Sequence, residues 1–162
     1  MGPIEVLADQ WRRSCWSDPW HGSSLGALLR DVDAETAAAH PIAGGHSIWK
    51  VVQHLTSWTD EVTRRLDGHA PAMPQAGDWP APPEPTAANW QQTLDALADA
   101  QGRLERVLLA FPAERLAERV GSERDAPLGT GVSHEGLVQG ALQHNAYHGG
   151  QIALLRRAAG RL

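Results

Sequence analysis

Two histidines near the carboxyl end, His144 and His148, stand four residues apart in a stretch with helical periodicity. On an α-helix this spacing puts both imidazoles on one face, about 5–6 Å apart at Cβ. The same face otherwise carries apolar residues such as Leu137 and Ile152. Imidazoles that face a core are costly unless another group binds them. The pair therefore indicates a binding site inside the protein.

A third histidine, His54, lies on the apolar side of another predicted helix, Ile48–Leu66. Three neutral imidazoles suit a metal ion and leave a coordination position open, as in catalytic zinc sites. A single histidine is more often hydrogen-bonded or exposed, but all three here fall on faces that apolar residues define independently. Histidine-only coordination suits zinc, nickel, copper or iron, so these ligands do not select the ion.

Two further residues are predicted to serve this site, whereas no catalytic residue is identified. Gln151 follows His148 by three residues, so it either orients a ligand or bonds a neighbouring helix. Trp58 flanks His54 and either packs in the core or walls a substrate pocket. Asn145 stands where a His-Glu-x-x-His metalloprotease has its glutamate, so that signature is absent.

The remaining candidates are predicted to have structural roles. His46 precedes a helix and is interpreted as a residue of the capping region, Asp60 and Glu61 as members of a solvated flank, and Cys15 as a small packed residue. Solvated or structural roles are also predicted for four histidines in turns or in a first helical turn: His21, His40, His69 and His134.

The length and composition of the chain limit its class. The 162 residues suit one domain over 1–162. A net charge of -5 without a run of Lys or Arg argues against a nucleic-acid partner. Cys15 is the single cysteine and excludes an internal disulfide, no secretion signal is recognisable, and no apolar run reaches the roughly 18 residues of a membrane span. We therefore expect a cytoplasmic protein with neither a nucleic-acid nor a membrane partner. The small-molecule substrate that we expect follows instead from the open coordination position of the histidine site.

Helical periodicity and capping residues predict the elements that must position the histidines. A short helix is expected over Ile4–Cys15, and a second from Ser23 or Ser24 to near His40. Ser47 is expected to cap the helix Ile48–Leu66. Residues 68–88 contain six prolines, so they are predicted to form neither helix nor sheet. A connection of this length usually signals function or a long crossover between parallel helices.

The second half of the chain also shows a helical pattern. Thr86 or Asn89 is expected to open a helix that ends at Phe111, and a short helical turn is predicted between 112 and 120. The polar, glycine-rich stretch 121–131 indicates a loop, after which Ser133 caps the final helix. No segment alternates with period two, so the predicted architecture is all-α.

Two histidine-bearing stretches resemble motifs of the DinB/YfiT-like superfamily. Residues 46–58 (HSIWKVVQHLTSW) are similar to its second-helix motif, and residues 143–152 (QHNAYHGGQI) are similar to its fourth-helix motif. The similarity also takes in residues 20–25 and 78–80, so it spans nearly the whole chain.

The resemblance implies a four-helix bundle, in which the Pro-rich segment 68–88 is expected to be the long crossover between helices 2 and 3. It also implies a divalent ion (zinc, nickel or iron) held by three histidines, which match His54, His144 and His148. Characterised relatives include transferases and isomerases that depend on low-molecular-weight thiols such as bacillithiol or mycothiol, and many members form homodimers. No residue set in this sequence selects one particular thiol.

Two functional hypotheses follow, and the residues alone do not separate them. The first is a metal-dependent enzyme, with a thiol-dependent S-transferase as one form and a hydrolase as another. The second is a non-catalytic metal-binding or stress-response protein in which the ion is structural. A metal-free helical module would leave three imidazoles in one core without a reason.

Overall fold

Helices make up most of the protein. The computed structural model describes residues 1–160, so Arg161 and Leu162 lie outside the described residues. The elements of this range are α1 (Pro3–Trp16), α2 (Leu25–Leu29), α3 (Ala34–Ala38), α4 (Ile48–Leu66), α5 (Ala87–Ala110), β1 (Arg119–Val120), β2 (Val132–Ser133) and α6 (His134–Ala158). A 3-10 turn at Ala113–Arg115 precedes β1. No helix within 1–160 combines the length and the apolar character that crossing a membrane requires.

Side-chain caps begin the two helices that carry the histidines. Ser47 Oγ accepts the backbone N–H of Lys50 over 3.2 Å at the start of α4, and Ser133 Oγ accepts that of Gly136 over 3.0 Å at the start of α6. Thr86 caps α5 in the same way. Because such caps satisfy N–H groups that the helix leaves free, the local sequence determines these starts. The three predicted starts are confirmed.

The helix predicted between Ser24 and His40 is in fact two short helices. Ser24 caps α2, but Asp33 Oδ1 accepts the backbone N–H of Thr36 over 2.8 Å and begins α3. An aspartate that hydrogen-bonds nearby backbone competes with a continuing helix. The prediction of one helix was therefore wrong, because it overlooked this internal cap.

The all-α prediction also needs a small correction. Strands β1 and β2 pair antiparallel, with Arg119 opposite Ser133 and Val120 opposite Val132. Two-residue strands are too short to show the alternation that marks a strand in a sequence. The pair closes the base of the 121–131 loop and leads directly into α6.

Two apolar clusters lie on either side of the histidines. Helix α4 packs against α5 and α6, and α1 packs against the same two helices. One cluster centres on Trp11, Val62 and Leu104, and the other centres on Trp49 and Ile152. On α6 the histidine-bearing turns fall between these clusters, and on α4 His54 lies next to Leu55, the last residue that this helix contributes to the second cluster. Apolar burial above and below therefore fixes the two helices that carry the site.

Candidate metal centre

The three histidines singled out in the sequence lie together between α4 and α6. One ring nitrogen from each of His54, His144 and His148 lies within 4.8 Å of the other two. The Nε2 atoms of His54 and His144 are 2.9 Å apart. His54 is 5 % exposed and His148 is 4 % exposed. The predicted convergence is confirmed, and the role of these residues as metal ligands stays a prediction.

Helical periodicity explains why the rings meet. On α4, His54 belongs to a buried face that it shares with Val51 and Leu55. On α6, His144 and His148 are one turn apart, and their ring centroids are separated by 4.4 Å with the rings nearly perpendicular. Residues four apart on a helix are surface neighbours, so α6 alone brings two of the three rings together.

Hydrogen bonds decide which nitrogen of two rings stays free. His54 Nδ1 donates to the backbone carbonyl oxygen of Asp78 over 2.6 Å, and His148 Nδ1 donates to Gln151 Oε1 over 2.6 Å. Because both acceptors require the proton at Nδ1, each neutral ring has its lone pair at Nε2. Histidines that bind metals are commonly oriented by such a second hydrogen bond.

Gln151 and Trp58 both lie next to the clustered histidines. Gln151 bonds His148 on its own helix rather than a neighbouring helix. Trp58 Nε1 donates to Asp78 Oδ1 over 2.7 Å, and the same carboxylate oxygen lies 3.1 Å from His54 Nδ1. Their functional roles remain predictions.

Asp78 and Trp79 take part in the site although sequence periodicity does not find them. The Trp79 ring stacks on His54 with centroids 3.8 Å apart, and it stacks on His46 with centroids 3.9 Å apart. His46 thus contacts the site through Trp79 besides preceding the cap of α4. Both residues belong to the Pro-rich segment, where two sequence features pointed to a function: its unusual length and the family resemblance of residues 78–80.

Burial keeps the clustered histidines neutral. Desolvation is the largest cause that lowers the pKa of His54 and His148. Desolvation, followed by the nearby ring of His148, lowers the pKa of His144 to about 4. Neutral imidazole is the form in which histidine binds a metal ion. The environment of the cluster therefore favours the protonation state that coordination needs.

The donor set fits a divalent transition-metal ion. Two nitrogens that bind one ion at about 2.1 Å can be at most about 4.2 Å apart, and the Nε2 atoms of His54 and His144 satisfy this limit at 2.9 Å. Because the Nε2 atom of His54 carries a lone pair, this 2.9 Å contact is a hydrogen bond that the Nε2–H of neutral His144 donates. A metal ion bound by both atoms would take the place of that proton, which neutral His144 can carry on Nδ1 instead.

A cavity of about 660 Å³ opens beside the cluster. His54, His144, Trp58 and Asp78 form one part of its wall, and the rest comes mainly from the 121–131 loop and the first turns of α6. A cavity of this size is within the range of small-molecule sites. A ligand in this cavity could therefore reach the histidine cluster from one side.

Glu61 does not lie on a solvated flank, so that prediction was wrong. Its side chain is buried, and Oε1 accepts from Arg65 Nε over 2.9 Å and from the backbone N–H of Ala72 over 2.9 Å. Asp60 does lie near the surface, where it pairs with Arg103 over 2.7 Å. A buried charge depends on partners from other parts of the chain, which helical periodicity does not reveal.

The other predicted structural residues have the expected surroundings. His21, His40 and His69 are exposed. His134 is buried, and its Nδ1 donates to the backbone carbonyl of a residue in the 3-10 turn over 3.1 Å. Burial raises the pKa of the Cys15 thiol to about 12, so this cysteine is a packed residue and stays protonated at neutral pH.

Comparison with known families agrees with the geometry. The family model of the DinB superfamily matches residues 20–152, a range that includes all three clustered histidines and Asp78. No curated protein and no solved structure matches the chain significantly. Since the family match covers most of the 162 residues, the chain belongs to the DinB superfamily.

Proposed function

We propose that the protein is a divalent-metal-dependent enzyme in which His54, His144 and His148 hold a zinc, nickel or iron ion. One observation carries the proposal: three neutral imidazoles, two buried and one half-buried, converge beside a cavity large enough for a small molecule. Three histidine ligands leave a coordination position for water or substrate. When bound, the ion would lower the pKa of a coordinated water or thiol and polarise a substrate oxygen.

The residues around the ligands would orient them and keep water away. The Asp78 carbonyl and the Gln151 side chain hold the Nδ1–H groups of His54 and His148. Trp79 covers the His54 ring. Since bulk water competes for the open coordination position, this apolar cover favours a reaction with a bound substrate over solvent exchange.

We further propose that the attacking group comes from a low-molecular-weight thiol, which would make the enzyme an S-transferase. The described residues of the cavity wall include no cysteine, serine or lysine, and the thiol of Cys15 is buried and protonated. A protein without a strong nucleophile of its own takes one from a co-substrate such as a thiol, or from metal-bound water, which would make it a hydrolase instead.

We also propose that α1, α4, α5 and α6 form a four-helix bundle, with the Pro-rich segment as the crossover between α4 and α5. Trp49 near the start of α4 donates to Thr93 near the start of α5, and Asp60 further along α4 pairs with Arg103 further along α5. The same order on both helices means that they run parallel. Parallel neighbours in a bundle need a long connection.

The organisation as one domain, the cytoplasmic location and the homodimer stay predictions. The first two rest on length and composition, and the third rests on the family resemblance alone. Sedimentation of the purified protein would test the homodimer directly.

A non-catalytic metal-binding or stress-response protein is the second candidate. The observation in its favour is that the cluster joins α4 to α6, so an ion there would tie two core helices together. The adjoining cavity favours the enzyme. Turnover of an electrophile with a panel of cellular thiols would support the enzyme, whereas a metal-loaded protein without turnover would support the structural ion.

The metal site itself is tested by the variant His148→Ala. We expect this variant to lose its metal and any activity while its helical circular dichroism stays largely unchanged, because one of three ligands is gone. Elemental analysis of freshly purified protein is the measurement, and His69→Ala, which changes an exposed histidine, is the control. Undiminished metal content in His148→Ala would overturn the proposal.

A further inference from the structure

The wall of the cavity beside the histidines includes several aliphatic side chains. They come from α4, the 121–131 loop, β2 and α6, namely Val62, Leu128, Val132, Leu137 and Ala141. Ligand cavities with such walls bind the hydrocarbon part of a molecule and orient it through a few polar groups. A ligand of this cavity therefore needs an apolar body.

One glycine of α6, Gly140, leaves open space at the wall of the cavity. Gly136 and Gly140 precede His144 and His148 at intervals of four residues, so all four lie on one ridge of the helix. A Cβ added at Gly140 would have no heavy atom within 4 Å, although Gly140 belongs to the cavity wall. Glycine destabilises a helix relative to alanine, and its effect here is open space next to His144.

Two of the charged groups on the cavity wall already have partners. Arg65 is buried and pairs with Glu61 through Nε over 2.9 Å. The Asp78 carboxylate accepts the indole N–H of Trp58 and lies beside the Nδ1–H of His54. The charge of Arg65 is thus compensated, whereas Asp78 keeps its negative charge at the histidine end of the cavity, where a metal cation is proposed.

Arg124 is the charged wall residue that has no carboxylate partner within residues 1–160. Its Nη1 donates to the carbonyl oxygens of Thr130, over 3.0 Å, and of Asp125, over 3.2 Å. These bonds hold the side chain in place and leave Nε and Nη2 free. Arg124 also lines a second cavity together with Glu123 and Asp125, but it forms no ion pair with either carboxylate.

We propose that the cavity binds a small molecule with a carboxylate, an apolar body and a metal-binding end. The carboxylate contacts the free edge of the Arg124 guanidinium, whose planar geometry suits it. The body lies over Gly140, and the metal-binding end reaches His54 and His144. The inference names the ligand class of the proposed metal site, so it rests on the proposed function.

The charge requirement is tested with protein loaded with Co²⁺. The probes are ω-mercaptoalkanoic acids of increasing chain length and the ω-mercaptoalcohols of equal length, and thiolate-to-cobalt absorption reports binding. We expect at least one acid to bind at least tenfold more tightly than the matching alcohol. In Arg124→Gln this preference should vanish while affinity for the alcohol stays within twofold. Equal affinity for acid and alcohol at every length would overturn the inference.

The steric requirement is tested with Gly140→Leu. Its side chain would occupy the cavity, so we expect the best acid to lose at least tenfold in affinity while the cobalt spectrum is retained. Gly150→Leu is the matched control, because Gly150 is an exposed glycine of the same helix, also open at Cβ, and outside the cavity wall. Leucine favours helix over glycine, so both variants should fold. Unchanged acid affinity in Gly140→Leu would contradict the inference.

Failure of the metal site and failure of the ligand class give different results. Wild-type protein without a cobalt spectrum would overturn both proposals. A normal cobalt spectrum with no thiol binding, or with binding that ignores the carboxylate, would overturn the ligand class and leave the metal site supported.

Discussion

His148 and Gln151 form a hydrogen-bonded pair within one turn of α6, with Nδ1 and Oε1 separated by 2.6 Å. Without this acceptor the imidazole can turn, and its proton can move to Nε2, the atom proposed to bind the ion. We expect Gln151→Met to weaken zinc affinity about 10–100-fold, as is typical when the partner of a metal ligand is lost. Competition with a chromogenic chelator measures the change.

A matched variant controls for general effects on the helix. Gln139 lies on the same helix, is exposed, and bonds Glu135 rather than a histidine. Gln139→Met should therefore retain wild-type zinc affinity. If both variants lost affinity equally, the hydrogen bond to His148 would not be the cause.

His144 should make the metal-free protein sensitive to acid. Its pKa is about 4 in the folded protein because of burial and the adjacent His148, and about 6.5 in the unfolded chain. Between these values the unfolded chain binds more protons, so stability falls as pH falls from about 6.5 to about 4. Above this window both states are neutral at His144 and its contribution does not change.

Urea unfolding in the presence of a chelator, at several pH values, measures this dependence. One proton of difference changes the free energy of unfolding by at most about 1.4 kcal/mol per pH unit. We expect a shallower slope in His144→Gln, which has no titrating ring at this position. An identical slope in the variant would show that other groups cause the acid sensitivity.

One buried ion pair, Glu61–Arg65, connects helix α4 to the Pro-rich segment and to the 121–131 loop, which both contribute to the cavity wall. Arg65 Nη1 donates to the Leu128 carbonyl over 2.8 Å, and Nη2 donates to the Ala72 carbonyl over 3.1 Å. Glu61 accepts the Ala72 N–H and neutralises Arg65. The pair therefore holds the Pro-rich segment and the 121–131 loop against the last turns of α4.

Breaking this ion pair should be much more costly than breaking an exposed one. Glu61→Gln leaves the Arg65 charge buried without its counter-charge, and losses of about 3–5 kcal/mol are typical of such changes. The control Asp60→Asn breaks the exposed pair with Arg103, which should be worth less than about 1 kcal/mol. Free energies of unfolding in urea give both values, and similar losses would contradict the assigned role of Glu61.

In the whole molecule, the histidine cluster lies where two apolar clusters meet. The segments that form it are distant in sequence, since His54 and His144 are 90 residues apart. A ligand of the folded cluster that does not bind the unfolded chain stabilises the protein by mass action. Metal binding should consequently report on the integrity of the entire helical assembly.

Removing the metal should lower stability, and restoring it should reverse the loss. At free zinc one hundredfold above the dissociation constant, we expect a gain of about 2.7 kcal/mol in the free energy of unfolding relative to chelator-treated protein. Chemical unfolding with and without zinc is the measurement. His148→Ala should gain far less, and a gain equal to that of wild type would mean that zinc binds elsewhere.

Local patterns in the sequence predict the two helices that carry the histidines. The period of apolar residues predicts α4 and α6, and Ser47 and Ser133 predict their starts. The same period places His54, His144 and His148 on buried faces. These features depend on residues within a few helical turns of one another, so they can be predicted from the sequence.

Other features depend on contacts between distant segments. The burial of Glu61 requires Arg65 together with Ala72, and the orientation of His54 requires the backbone carbonyl of Asp78. A backbone carbonyl belongs to every residue, so its use as a hydrogen-bond acceptor leaves no trace in residue types. Trp79 likewise could have packed anywhere in the core.

Residue types and spacing were enough to identify which side chains can bind an ion, because the spacing of residues along a helix determines which of them share a face. The cavity, Arg124 at its wall and the empty space at Gly140 became visible only after the loops had been placed against the helices. The physical reason is that a helix forms from bonds between near neighbours, whereas the shape and charge of a cavity are set by long-range packing.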